Sequence, residues 1–149
     1  MVDMSNAVIK VSLGPAAVYK GITLGNMGGH NVIYAANFRG GTVDVFDTNF
    51  MPVTLAAGAF RDSSIPAGFA PFNVQNIEGS ILVTYAKQDD AKHDDVAGPG
   101  FGYVDRFTAD GVLVTRFEHG NWLNSPWGVA KAGRRMELLA VQVRTTLRA

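Results

Sequence analysis

The chain has 149 residues, 47% of them hydrophobic, enough to bury the core of one domain of ordinary size. Its 13 basic and 13 acidic side chains balance, which leaves no electrostatic footprint for nucleic acid or for an anionic membrane surface. With no cysteine, disulfides and cysteine-ligated metals are excluded, and no apolar run approaches the length of a membrane span.

Ala17 to Leu24 reads as a first strand that ends at Gly25, with a glycine-rich loop over Asn26 to Asn31. Val32 to Phe38 and Thr42 to Asp47 then pair across Arg39-Gly40-Gly41, where glycine supplies positive φ. Val43 and Val45 share one face while Asp44 and Phe46 share the other, the period of two that marks a strand. Met51 to Ala56 is expected as a fourth strand. Gly58 to Pro71, with Pro66, Gly68 and Pro71, is expected as an ordered loop without helix.

The order then restarts. Phe72 to Ile77 and Ser80 to Lys87 are strands joined at Glu78-Gly79, and an insertion follows to Gly100. Tyr103 to Thr108 turns through Asp110-Gly111, the strongest hairpin signal in the chain, into Val112 to Phe117. Pro126 to Lys131 opens a third round, and Glu137 to Val143 is its second strand. The phrase Thr42-Val43-Asp44-Val45-Phe46-Asp47 returns as Tyr103-Val104-Asp105-Arg106-Phe107-Thr108, and Ile33 to Ala36 returns as Ile81 to Thr84. Gly21, Asn73 and Gly128 fall at matching places, so the unit recurs at roughly fifty residues.

Such recurrence predicts an all-β fold. The expected architecture is one partial β-propeller domain over residues 1–149, open rather than closed. Blade one covers about 17–57, blade two about 71–118, and part of a third about 126–143. A closed propeller needs about four to eight blades, so the ring is incomplete.

Several stretches also carry a family resemblance: Ala17-Val18-Tyr19-Lys20-Gly21-Ile22, Tyr34 to Phe50, Pro66 to Ile77, Leu123-Asn124-Ser125-Pro126-Trp127-Gly128 and, above all, Tyr85 to Gly100. From about Asn6 to Ala132 the chain resembles a bacterial, usually exported family of six-bladed, NHL-like β-propellers. The resemblance implies a central piece of a longer exported protein, extracellular or periplasmic, and carries over no activity. The opening residues 1–6 lack the basic start and apolar block of a signal peptide. Arg106 departs from the pattern where Val45 stands in the first unit. The tail from Gly133 lacks the expected strand ending, as a truncated or frame-shifted gene product would.

Candidate chemistry concentrates in the insertion Lys87 to Gly100, which carries Asp89, Asp90, His93, Asp94 and Asp95. Carboxylates are hard ligands, so Asp94 and Asp95, with Asp105 on the following strand, are the candidate ligands for Ca²⁺. The spacing is not that of an EF-hand, and a solvated loop is the competing reading. His93 is a candidate base or ligand but has no partner motif; His30 and His119 sit in glycine-containing turns. Asn37, Asn73, Asn76 and Asn124 lie near strand ends, where an amide binds a ligand or satisfies turn backbone. Trp127 is expected to pack between blades and Trp122 to be exposed. Asn37, Asn73, His93 and Trp122 are therefore the ligand-binding candidates.

No catalytic motif stands out. The favoured reading is a non-catalytic propeller module for binding an unknown ligand or protein, or for structural support. The alternative is a calcium-dependent, lactonase-like propeller hydrolase with ligands from the 87–105 loop. A third is a gene fragment that folds only partly. Uncapped blades predict self-association.

Overall fold

The computed structural model describes residues 6–117, 119–132 and 137–142. Among them, strands form three antiparallel sheets in simple sequential order. The first sheet holds β1 (Tyr19–Met27), β2 (His30–Asn37) and β3 (Thr42–Phe46). The second holds β4 (Phe69–Ile77), β5 (Ser80–Lys87), β6 (Gly102–Phe107) and β7 (Leu113–Arg116). The third holds β8 (Pro126–Ala132) and β9 (Glu137–Gln142). The all-β expectation holds.

Three local expectations are corrected. The loop expected at Asn26 to Asn31 is a tight hairpin instead: β1 runs to Met27 and β2 starts at His30. Gly28 and Gly29 both take positive φ, 59° and 86°, so two residues suffice to reverse the chain. The fourth strand expected at Met51 to Ala56 shrinks to one bridge between Phe46 and Pro52. Pro52 has no N–H to extend a ladder, and Phe50 turns the backbone at φ 63°. The first sheet is therefore three-stranded, not four-stranded. Val143 lies outside the described residues, as does the tail at 133–136 and 143–149. β4, finally, starts at Phe69, inside the expected loop.

The two larger sheets share one register. Ile33 faces Phe46 and Tyr34 faces Val45 in the first, as Ile81 faces Phe107 and Leu82 faces Arg106 in the second. Each opening strand also carries a bulge, between Tyr19 and Ile22, Pro71 and Asn73, and Pro126 and Gly128. A bulge re-aims the strand and tightens its twist. Here it recurs at the same place in each unit.

Period two along these strands gives every sheet two faces, and the second sheet buries side chains on both. Val32, Tyr34, Ala36, Val43 and Val45 of the first sheet pack on Val74, Ile81, Val83, Tyr85 and Phe107 of the second. The opposite face of the second sheet brings Leu82 and Val104 against Val129 of the third, with Leu123 filling the seam. Phe60, from the 58–68 connection, plugs the first seam. Its ring centroid lies 5.8 Å from Tyr34 and 5.5 Å from Phe107. Phe38 and Phe72 lie 5.5 Å apart, and Phe72 meets Trp127 edge-on at 4.8 Å. Trp127 thus packs against the second sheet.

Candidate functional site

At one end of the sheets, β2 passes into β3 through 38–41, and β5 passes into β6 through the 88–101 insertion. The insertion is built by its own polar side chains. Asp89 accepts from the backbone N–H of His93 through Oδ1 at 2.7 Å, and its own N–H donates to the Asp94 carbonyl at 2.8 Å. Lys92 closes this turn at φ 53°, and a bridge between Gln88 and Asp95 shuts its base.

The first sheet then holds it from outside. Lys20 Nζ lies 2.8 Å from Asp94 Oδ1. Arg39 donates Nη2 to the Ala91 carbonyl at 3.1 Å and Nη1 to the Pro15 carbonyl at 3.0 Å. Gln88 Nε2 donates to the Phe38 carbonyl, and Gly98 N–H donates to Asn124 Oδ1 at 2.7 Å. The exposed insertion is thereby fixed to both neighbouring sheets. The hydrogen bond from the Lys20 ammonium, then that of His93 through Nδ1 at 3.0 Å, holds the Asp94 carboxyl down at about 2.

Asp105 stands apart from Asp94 and Asp95. It is fully buried on β6, across the ladder from Arg116 of β7, whose Nε is 3.8 Å from Oδ1. The same guanidinium pairs with the buried Asp62 and donates to Ser64 Oγ. Burial pushes the Asp105 carboxyl up to about 7. Burial, and then the charge of Asp105, also raises the Tyr85 phenol, which donates to the Phe60 carbonyl at 3.1 Å. Among the described residues no three His, Cys, Asp or Glu side chains come together as a metal-binding group.

The asparagines have structural partners. Asn37 Oδ1 accepts from Gly40 N–H at 2.9 Å, and its Nδ2 donates to Asp44 at 3.1 Å. Asn73 Nδ2 donates to the Trp127 carbonyl at 2.7 Å. Asn76 Nδ2 reaches the Leu24 carbonyl at 3.0 Å, and Asn124 holds the insertion. Trp122 is 59% exposed, as expected. His119 stacks on Tyr103 at 4.1 Å, and His30 is an exposed strand start. Arg106 donates to Thr115 on β7 at 3.2 Å.

A cavity of about 660 Å³ is lined by Gly40, Arg61, Asp62, Ser63, Phe69 and Tyr85, between the 38–41 turn and the 58–68 connection. This lining combines apolar contact with a guanidinium, a carboxylate and two hydroxyls. Sequence reading missed Lys20, Arg39, Gln88 and the Asp62–Arg116 pair. Each meets its partner far along the chain, where spacing carries no signal.

The similar proteins found are viral. An uncharacterized protein of Acanthamoeba polyphaga mimivirus is 35% identical over 122 residues, covering 80% of this chain and 32% of its own length. A second from the same virus is 33% identical over 103 residues, 67% of this chain and 19% of its own. A third is 32% identical over 122 residues, 80% of this chain and 30% of its own. The chain thus spans about a third or less of the curated relatives it matches. No described protein family matches it, and no solved structure does. These findings overturn the resemblance to a bacterial exported NHL-like family; the expected source and export rested on that likeness and are withdrawn with it. Among the described residues no helix is long and apolar enough to cross a membrane.

Proposed function

We propose that the chain is a non-catalytic scaffold module whose sheets stand as successive blades of an open propeller, and that it presents the 88–101 insertion as a preformed recognition loop. The anchoring of that loop carries the reading. Lys20 and Arg39 bind it from the first sheet, its own Gln88 reaches the Phe38 carbonyl and Asn124 holds its Gly98, while its outer side chains stay in water. A loop held in one conformation loses less entropy on engaging a partner than a free one. The blade arrangement is supported by the order of packing. The opening strands interlock, Asn76 of β4 on Leu24 of β1 and Val129 of β8 on Gln75 of β4, while each sheet lies face to face on the next. The likeness to uncharacterized viral proteins lends no activity to the reading.

Native-state hydrogen exchange tests it. The amides of His93, Lys92 and Val96 are expected to exchange slowly in the intact chain and quickly in Arg39→Ala, with the β5 core amides unchanged. Exchange at random-coil rates in the unaltered chain would remove the preformed loop. Turnover of lactones or esters that disappears in Asp94→Asn would replace the module with an enzyme.

A further inference from the structure

We propose that the outer face of the first sheet, centred on Ile22 and Leu24, binds the third sheet of a second copy of this chain, head to tail; this rests on the repeated-blade reading above. The register makes Ile22, Val74 and Val129 equivalent: Ile22 pairs with Ala35, Val74 with Val83 and Val129 with Ala140, each within two residues of the opening-strand bulge. In two of the three sheets this position is covered by the preceding one. Val74 is wholly buried against the first sheet, and Val129 is 7% exposed against the second. In the first sheet Ile22 is 69% exposed and its neighbour Leu24 72%. Ile22 is left in water where its counterparts Val74 and Val129 are in the core, and Leu24 lies beside it at the place where the other sheets carry Asn76 and Lys131.

The structure also shows what covers such a face. Tyr34 covers Val74, and Leu82, which the shared register places where Tyr34 stands, covers Val129. The third sheet places Leu139 at this same position: Leu139 is paired with Ala130 as Leu82 is with Gln75. Ala130 is exposed. The first sheet therefore bears a seam position left uncovered, and the third sheet carries a leucine at the register position that lies over it in the two seams inside the chain. The seam between copies continues the two seams already closed inside the chain. The contact joins different faces, so it propagates into a ring or a filament instead of stopping at a two-fold pair.

Sedimentation velocity on the whole chain, from low micromolar to hundreds of micromolar, tests this. Mass is expected to rise with concentration. Ile22→Lys and Ala130→Arg, both at exposed positions, should each leave monomers, and mixing the two variants should give a one-to-one dimer through their intact halves. A chain that stays monomeric throughout overturns the proposal. So does association that survives Ile22→Lys, or a mixture that does not pair. Exchange protection of the Val74 and Val129 amides, read on the same samples, separates loss of docking from loss of the repeated-blade packing. If both remain protected in a monomer, only the docking falls.

Discussion

Gly21 and Asn73 stand at matching places in successive sheets and touch: a Cβ on Gly21 would fall 1.9 Å from Asn73 Oδ1. The first sheet can approach the second this closely only because the residue at 21 has no side chain. Asn73 then reaches the Trp127 carbonyl, so one amide joins the opening strands of all three sheets.

Gly21→Ala is expected to destabilise the fold by ~1–3 kcal/mol, since the sheets must part or the amide must turn away. Asn73→Ala should cost about 1–3 kcal/mol by leaving buried backbone groups unpaired. Urea denaturation measures both, and unchanged midpoints would show that the strands do not depend on this contact.

The 58–68 connection contributes more than a link. Phe60→Ala removes the ring wedged between Tyr34 and Phe107, and the expected loss is ~3–5 kcal/mol. A loss under about 1 kcal/mol, the range of ordinary surface changes, would mean that the seam closes without its plug.

Stability should depend on pH through Asp105. Its carboxyl is raised to about 7 in the fold from an ordinary 3.8, so folding favours the protonated form. That contribution is complete below pH 3.8 and is lost as pH rises through about 7. The melting temperature should therefore fall between pH 5 and pH 8, and Asp105→Asn should flatten the profile. Asp94 acts with the opposite sign, its contribution lost only as pH falls through about 2, well outside that window.

Lys20→Ala should move the Asp94 carboxyl upward from about 2, because its largest depressing influence is gone. Side-chain NMR titration reads this directly. The melting temperature should change little, since the pair is solvent-exposed. An unmoved Asp94 would show that Lys20 does not hold the insertion in solution.

Calcium titration separates the two readings of the insertion. Asp94 is engaged with Lys20 and His93, and Asp89 caps the turn, so millimolar Ca²⁺ is expected to leave their NMR resonances in place. Shifts that vanish in Asp94→Ala would show the loop carboxylates to be metal ligands.

Much of this fold is legible locally. The alternation at Val43 to Phe46, the Glu78-Gly79 and Asp110-Gly111 turns, and the recurrence of Thr42 to Asp47 as Tyr103 to Thr108 set strands and register to within a few residues. The reading failed where one residue overrode the pattern: Pro52 stopped a ladder, and Gly28-Gly29 tightened a loop into a turn. In the site, the acidic insertion drew attention to His93 and Asp94. Nothing in their spacing announced Lys20, which lies 74 positions away.

The sequence by itself determined the strand content, the repeating unit and the pairing within each sheet, because period two and turn chemistry act between neighbours. Only the tertiary structure decided which sheet face is covered, that Asn73 is a tie between sheets, and that Asp105 is buried beside Arg116, away from the loop carboxylates. Those outcomes depend on which surfaces meet when sheets stack, and residues on two stacked sheets share no local pattern that would reveal their contact.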